Sequence, residues 1–202
     1  MARAALSRRE QNKAEKRGRI IAAARALFAH KGFEGTTTQA IAEAAGVAAG
    51  TLFLYARTKD DLLILVFREE MSGLVREAYE RSRPKGALID QLVAFFETFV
   101  AYHERDLPLA HALMRQLGYV GSAEQRAEVS ELMVPLLRSL ALLLEAAKER
   151  GEARRDTPLN AAAQAIFGAY YFNLGKLLSG YVSREQFDRD LRTQLELLLR
   201  GL

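Results

Sequence analysis

Two histidines, His103 and His111, are the residues whose type most readily suggests acid–base chemistry or metal binding, and their setting supports neither. A turn at Asp106 to Pro108 separates them. No HExxH pair, nucleophile elbow, phosphate loop or carboxylate pair of defined spacing accompanies them. Cysteine is absent, which removes disulfides and thiolate metal sites. No catalytic residue, metal or cofactor is therefore expected. The charged residues carry a clearer message. The 202-residue chain has a formal charge of +4, yet residues 1–59 hold eleven Lys and Arg against four acids, leaving the remainder slightly acidic. A basic head on an acidic body suits contact between that head and a polyanion, and a solubilising tail is the alternative reading of the same charge.

The elements that must position these residues are helices. Half of the chain is apolar, proline occurs only four times and tryptophan never, while Ala, Leu, Glu and Arg dominate. That mixture favours an all-α protein. Turn signals divide it into about nine helices. The first spans about 13–31 and ends at Gly32, and a short one follows to Ala45, capped by Thr36 or Thr37 and ended by Gly46. Another short helix covers 48–55. Thr58 and Asp61 form a capping box that opens a long helix over 59–81. Further helices are expected over 87–105, 108–118, 123–150, 158–179 and 184–200, with Pro135 kinking the third of these. Thr157 to Gly175 lacks charge for 19 residues, but its proline, asparagines, glutamine and glycines suit a buried helix better than a membrane span. Met1 to Arg9 lacks the apolar stretch of a signal peptide, so the cytoplasm is expected and membrane association is not.

The segment from Thr37 to Leu63, TTQAIAEAAGVAAGTLFLYARTKDDLL, places two short helices around a tight turn at Gly46 and Val47. This is the pattern of a helix-turn-helix, although a generic helical hairpin shares it. Its residues resemble the TetR family at Phe33, Thr37, Thr38, Ile41, Ala42, Ala45, Gly46, Val47, Gly50, Thr51, Leu52, Phe53, Tyr55, Lys59, Asp60 and Leu62. The resemblance implies an N-terminal DNA-binding domain over 1–58, a connecting helix over 59–83 and a C-terminal ligand-binding and dimerisation domain over 84–202. It gives phosphate contacts to Thr38, Thr51, Tyr55 and Lys59, and base edges to Ala49, Gly50 and Phe53, with Thr37, Ala48 and Leu54 completing the DNA-facing set. Ala48 departs from the usual Ser cap, and Ala49 from a longer, often polar residue. Base readout then depends on thymine methyls, Phe53 and DNA shape, and Arg3, Arg8, Arg9, Lys13 and Lys16 of a flexible arm either add backbone contacts or stay idle.

In the body, aromatic, Met and polar residues concentrate at Phe95, Phe99, Tyr102, His103, His111, Met114, Tyr119, Met133, Phe167, Tyr170 and Asn173. Core packing accounts for any one of them, but their combination suits a pocket for a small hydrophobic effector. Ala161, Ala165, Gly168, Ala169 and Phe172, with Leu191, Leu195 and Leu198, are expected to close a homodimer as a four-helix interface. The function implied is a repressor released from a double-stranded, palindromic operator by its effector. The alternatives are a constitutive or architectural DNA-binding protein, and a helical enzyme or lipid carrier.

Overall fold

Ser7 and Glu10 start the first helix by exchanging hydrogen bonds. Glu10 N donates to Ser7 Oγ at 3.3 Å, and Ser7 N donates to Glu10 Oε2 at 2.8 Å. This capping box satisfies otherwise orphaned N–H groups and carries α1 (Arg8–Lys31) upstream of the expected Lys13. Arg8, Arg9, Lys13 and Lys16 therefore sit on a helix and not on a flexible arm. The computed structural model of the chain describes residues 7–84, 86–118 and 123–201, and the expectations for Arg3 and Tyr119 lie outside them.

Ile20, Ile21, Ala24 and Phe28 form the buried side of α1, and Phe33 folds back after Gly32 to set its ring 5.4 Å from that of Phe28. Thr36 is not the next cap. Its hydroxyl, buried to 2% exposure, is shared between the carbonyls of Leu27 and Gly32 and fastens the end of α1. Thr37 caps α2 (Thr38–Ala44) instead, accepting from Ala40 N at 3.1 Å. Gly46 turns the chain at φ +62°, where a side chain would be strained. The third helix, α3 (Ala49–Leu52), is shorter than expected. Ala48 offers it no side-chain cap, and Phe53 to Tyr55 close into a turn behind the fully buried Leu52. The Thr58–Asp61 capping box then opens α4 (Lys59–Ser82).

The remaining helices are α5 (Leu88–Glu104), α6 (Leu107–Gly118), α7 (Ala123–Glu149), α8 (Leu159–Leu178) and α9 (Arg184–Leu199). Among the described residues the chain thus has nine helices and no strand. Asp106 caps α6, accepting from Leu109 N at 3.0 Å, so Pro108 falls in a first turn that needs no N–H from it. Pro158 stands at the cap of α8, just before the first turn where it was expected. Pro135 lies inside α7, which continues past it. The chain divides into two compact units between Glu69 and Glu70, inside α4. The first has its core around Ile20, Phe28, Ile41 and Leu52, and in the second α8 packs against both α7 and α9 around Phe95, Phe96, Leu140, Ile166 and Leu195. No described helix is long and apolar enough to cross a membrane.

Candidate functional site

In the first unit, the outer edge of the helix-turn-helix is apolar. Phe53 is 47% exposed and Leu54 83%, beside exposed Ala48 and Gly50 and half-buried Ala49 and Thr51. Thr37 is exposed, Thr38 half-buried. Two of the groups expected to bind phosphate, Tyr55 and Lys59, are already engaged within the unit. Tyr55 donates its hydroxyl to Lys13 O at 3.3 Å. Lys59 Nζ donates to Phe33 O at 2.8 Å and Glu34 O at 3.4 Å, and lies 3.7 Å from the Glu34 carboxylate. The phosphate role expected of Lys59 thus competes with three protein acceptors. Sequence reasoning had no signal for these long-range partners, since the carbonyls belong to a loop some 25 residues away.

In the second unit the residues expected to line an effector pocket form a packed aromatic core. Phe95, Phe99, His103, Tyr170 and Asn173 are all buried, while Tyr102, Met114, Met133 and Phe167 are half-buried. Phe96 stacks on Tyr170 at 4.3 Å and 9°, and Phe95 lies 5.2 Å from Phe99. Tyr102 donates to the Glu70 carboxylate and His111 meets Leu178 O, so neither polar group is idle. Burial holds the His103 imidazole down at about 4, neutral at physiological pH. Two oxygens remain unsatisfied among the described residues: Tyr170 OH and Asn173 Oδ1. Asn173 is fully buried and spends both amide protons, on Ala169 O and Gln194 Oε1 at 2.8 Å each. Burial and then the Glu97 carboxylate push the Tyr170 hydroxyl far above the usual phenol range, so it is a neutral donor awaiting an acceptor.

The outer face of α8 has a different character. Ala161, Ala165, Gly168, Phe172, Gly175 and Ser179 recur at alternating steps of four and three, the seam of a coiled coil, and all but the half-buried Gly175 are exposed. A Cβ added at Gly168 or Gly175 would meet nothing within 4 Å, so the subunit's own packing does not call for glycine there. Met114, Gly168, Phe172, Gly175, Lys176 and Tyr181 border an open groove of about 430 Å³ on this face. Of the expected interface residues, Ala161, Ala165 and Phe172 lie on this exposed face and Ala169 is half-buried. Leu191 and Leu195, at 4% and 0% exposure, are core residues of the subunit, in a helix that packs on both α5 and α8. Leu198 is half-buried, and Leu197, which the periodicity did not single out, is the exposed leucine of α9 at 59%.

The family of bacterial regulatory proteins described as tetR matches residues 20–66. The chain is 28% identical over 187 residues to a fatty acid metabolism regulator protein of Bacillus subtilis (strain 168), covering 91% of this chain and 93% of that one. Among solved structures it resembles FadR of Thermus thermophilus, a TetR family transcriptional repressor in complex with lauroyl-CoA, with a TM-score of 0.77 and 27% identity over 92% of this chain and 94% of that one. FadR of Bacillus subtilis in complex with stearoyl-CoA matches with a TM-score of 0.69 and 26% identity, over 91% and 98% of the two chains.

Proposed function

From the match of residues 20–66 to the tetR family of bacterial regulatory proteins and the likeness to FadR regulators, we propose that the chain is a homodimeric TetR-type repressor whose operator complex is dissolved by an acyl-CoA. The observation that carries the effector half of this reading is the pair of unsatisfied oxygens, Tyr170 OH and Asn173 Oδ1, inside a mainly aromatic and aliphatic core. A buried polar atom without a partner costs about 1–3 kcal/mol, so a ligand that supplies partners to both recovers that cost while its chain replaces aromatic contacts. Similarity to regulators solved with lauroyl-CoA and stearoyl-CoA extends over nine-tenths of the chain and so includes this core. In this reading the head supplies the DNA-binding surface, with Thr38 and Thr51 toward phosphates and the edge from Ala48 to Leu54 toward bases. The α8 seam supplies the second head that a palindrome requires.

The test begins with duplexes that the protein itself selects from fragmented genomic DNA. Their complexes are titrated with lauroyl-CoA, stearoyl-CoA, free CoA and laurate, and read by fluorescence anisotropy. Acyl-CoA is expected to lower operator affinity by about a hundredfold, a coupling of about 2.7 kcal/mol, and by linkage operator DNA weakens acyl-CoA binding by the same factor. Absence of any DNA binding overturns the reading. Binding that no acyl-CoA alters leaves a constitutive DNA-binding protein, the reading that the closed aromatic core would favour.

A further inference from the structure

We propose that Phe53 and Leu54 are the specificity-determining pair of the head and that they read the 5-methyl groups of thymines, so that the operator is recognised by apolar contact in the major groove. This rests on the reading of the chain as an operator-binding regulator.

The edge that a helix-turn-helix presents to bases here consists of Ala48, Ala49, Gly50, Phe53 and Leu54, none of which has a hydrogen-bonding side chain. Phe53 and Leu54 are its large members, exposed to 47% and 83%. Side chains of this size left open to water imply a surface that covers them. The hydrogen-bonding groups around the edge are already engaged with partners in the head. Thr37 accepts from Ala40 N, Thr58 accepts from Asp61 N, and Gln39 Nε2 donates to Glu43 Oε1 at 2.8 Å. Tyr55 and Lys59 donate to main-chain carbonyls. Thr38 and Thr51 retain hydroxyls on half-buried positions, which serve phosphates as readily as bases. The excess of Lys and Arg in residues 1–59 suits a polyanionic occupant, and the one apolar feature that duplex DNA offers in its major groove is the thymine methyl. A polar base edge set against Phe53 and Leu54 would lose its water without gaining a partner, which turns the pair against cytosine and guanine as well as toward thymine.

The experiment uses the full chain and duplexes it selects from a random pool. Each thymine is replaced in turn by uracil, which removes the methyl and leaves every hydrogen-bonding group in place. Affinity is expected to fall about fourfold at one or more positions per half-site, the worth of one buried methyl. The same series is measured on Phe53→Ala combined with Leu54→Ala, whose exposed positions spare the fold, with helicity checked by circular dichroism. In that variant the penalty for uracil is expected to vanish. The proposal is overturned if uracil throughout the site leaves affinity unchanged, or if its penalty is undiminished in the variant. A protein that selects no duplex at all instead defeats the underlying reading.

Discussion

The ammonium of Lys59 is fastened to Phe33 twice, donating to its carbonyl at 2.8 Å and lying 4.4 Å above its ring. The first turn of α4 is thereby tied to the loop that follows α1. A residue in a position expected to grip phosphate is a strut of the head, and the DNA-facing surface depends on it through geometry.

Lys59→Met is accordingly expected to destabilise the protein by about 1–3 kcal/mol, the loss of charge-assisted hydrogen bonds to two carbonyls. The slope of log affinity for DNA against log salt is expected to stay the same if the ammonium keeps its carbonyl partners in the complex, because it then releases no counterion. Chemical denaturation and a salt titration measure the two effects separately. A slope lowered by about one unit would place Lys59 on the DNA.

Ala165→Arg and Gly168→Leu are expected to leave the subunit folded and to break the dimer. Both positions are exposed, and an added Cβ meets nothing at Gly168. At a packed α8 seam, by contrast, an unpaired charge costs about 3–5 kcal/mol. Sedimentation of both variants at micromolar concentration decides the matter, and persistence of dimers in both would move the interface off this face. Leu195→Arg is not an equivalent probe, because Leu195 has 0% exposure within the subunit and its loss would unfold the core.

Tyr170→Phe deletes a buried hydroxyl that has no partner among the described residues. The ligand-free protein is expected to gain about 1 kcal/mol, since removing an unsatisfied group removes its desolvation cost. Acyl-CoA binding should weaken in the same variant. Calorimetric melting and ligand titration test both halves, and a variant that melts lower than the parent would mean that the hydroxyl has a partner within the fold.

His103 predicts an acid-side loss of stability. Burial lowers its folded-state value from 6.5 to about 4, so the unfolded chain takes up the proton first. The stabilisation is complete above about pH 6.5 and is lost as pH falls toward 4, amounting to roughly 3 kcal/mol across that window. Urea midpoints measured from pH 7 to 4.5 should drop less steeply in His103→Gln, which stays neutral throughout. Parallel curves for the two proteins would assign the acid lability to other groups.

Much of this was legible in the chain itself. Helix ends depend on residues within a turn of them, so Gly32, Gly46, the Thr58–Asp61 box and the run from Thr37 to Lys59 could be read directly. The outward placing of Phe53 and Leu54 came from the family resemblance, and the exposure of both residues agrees with it. Tertiary structure decided which of several equivalent residues took each role. Thr36 and Thr37 are adjacent threonines, and only the approach of the end of α1 sends one inward and leaves the other as cap. Leu191 and Leu195 share their pattern with an interface, and only the packing of α9 on α5 and α8 makes them core. Lys59 could serve a phosphate or a carbonyl until the loop after α1 came within 2.8 Å of it. A sequence specifies local hydrogen bonds and periodicity because both act within a few residues. The partner of a long side chain, and the face of a helix that stays open, depend on contacts between segments far apart in the chain, which exist only once the chain has folded.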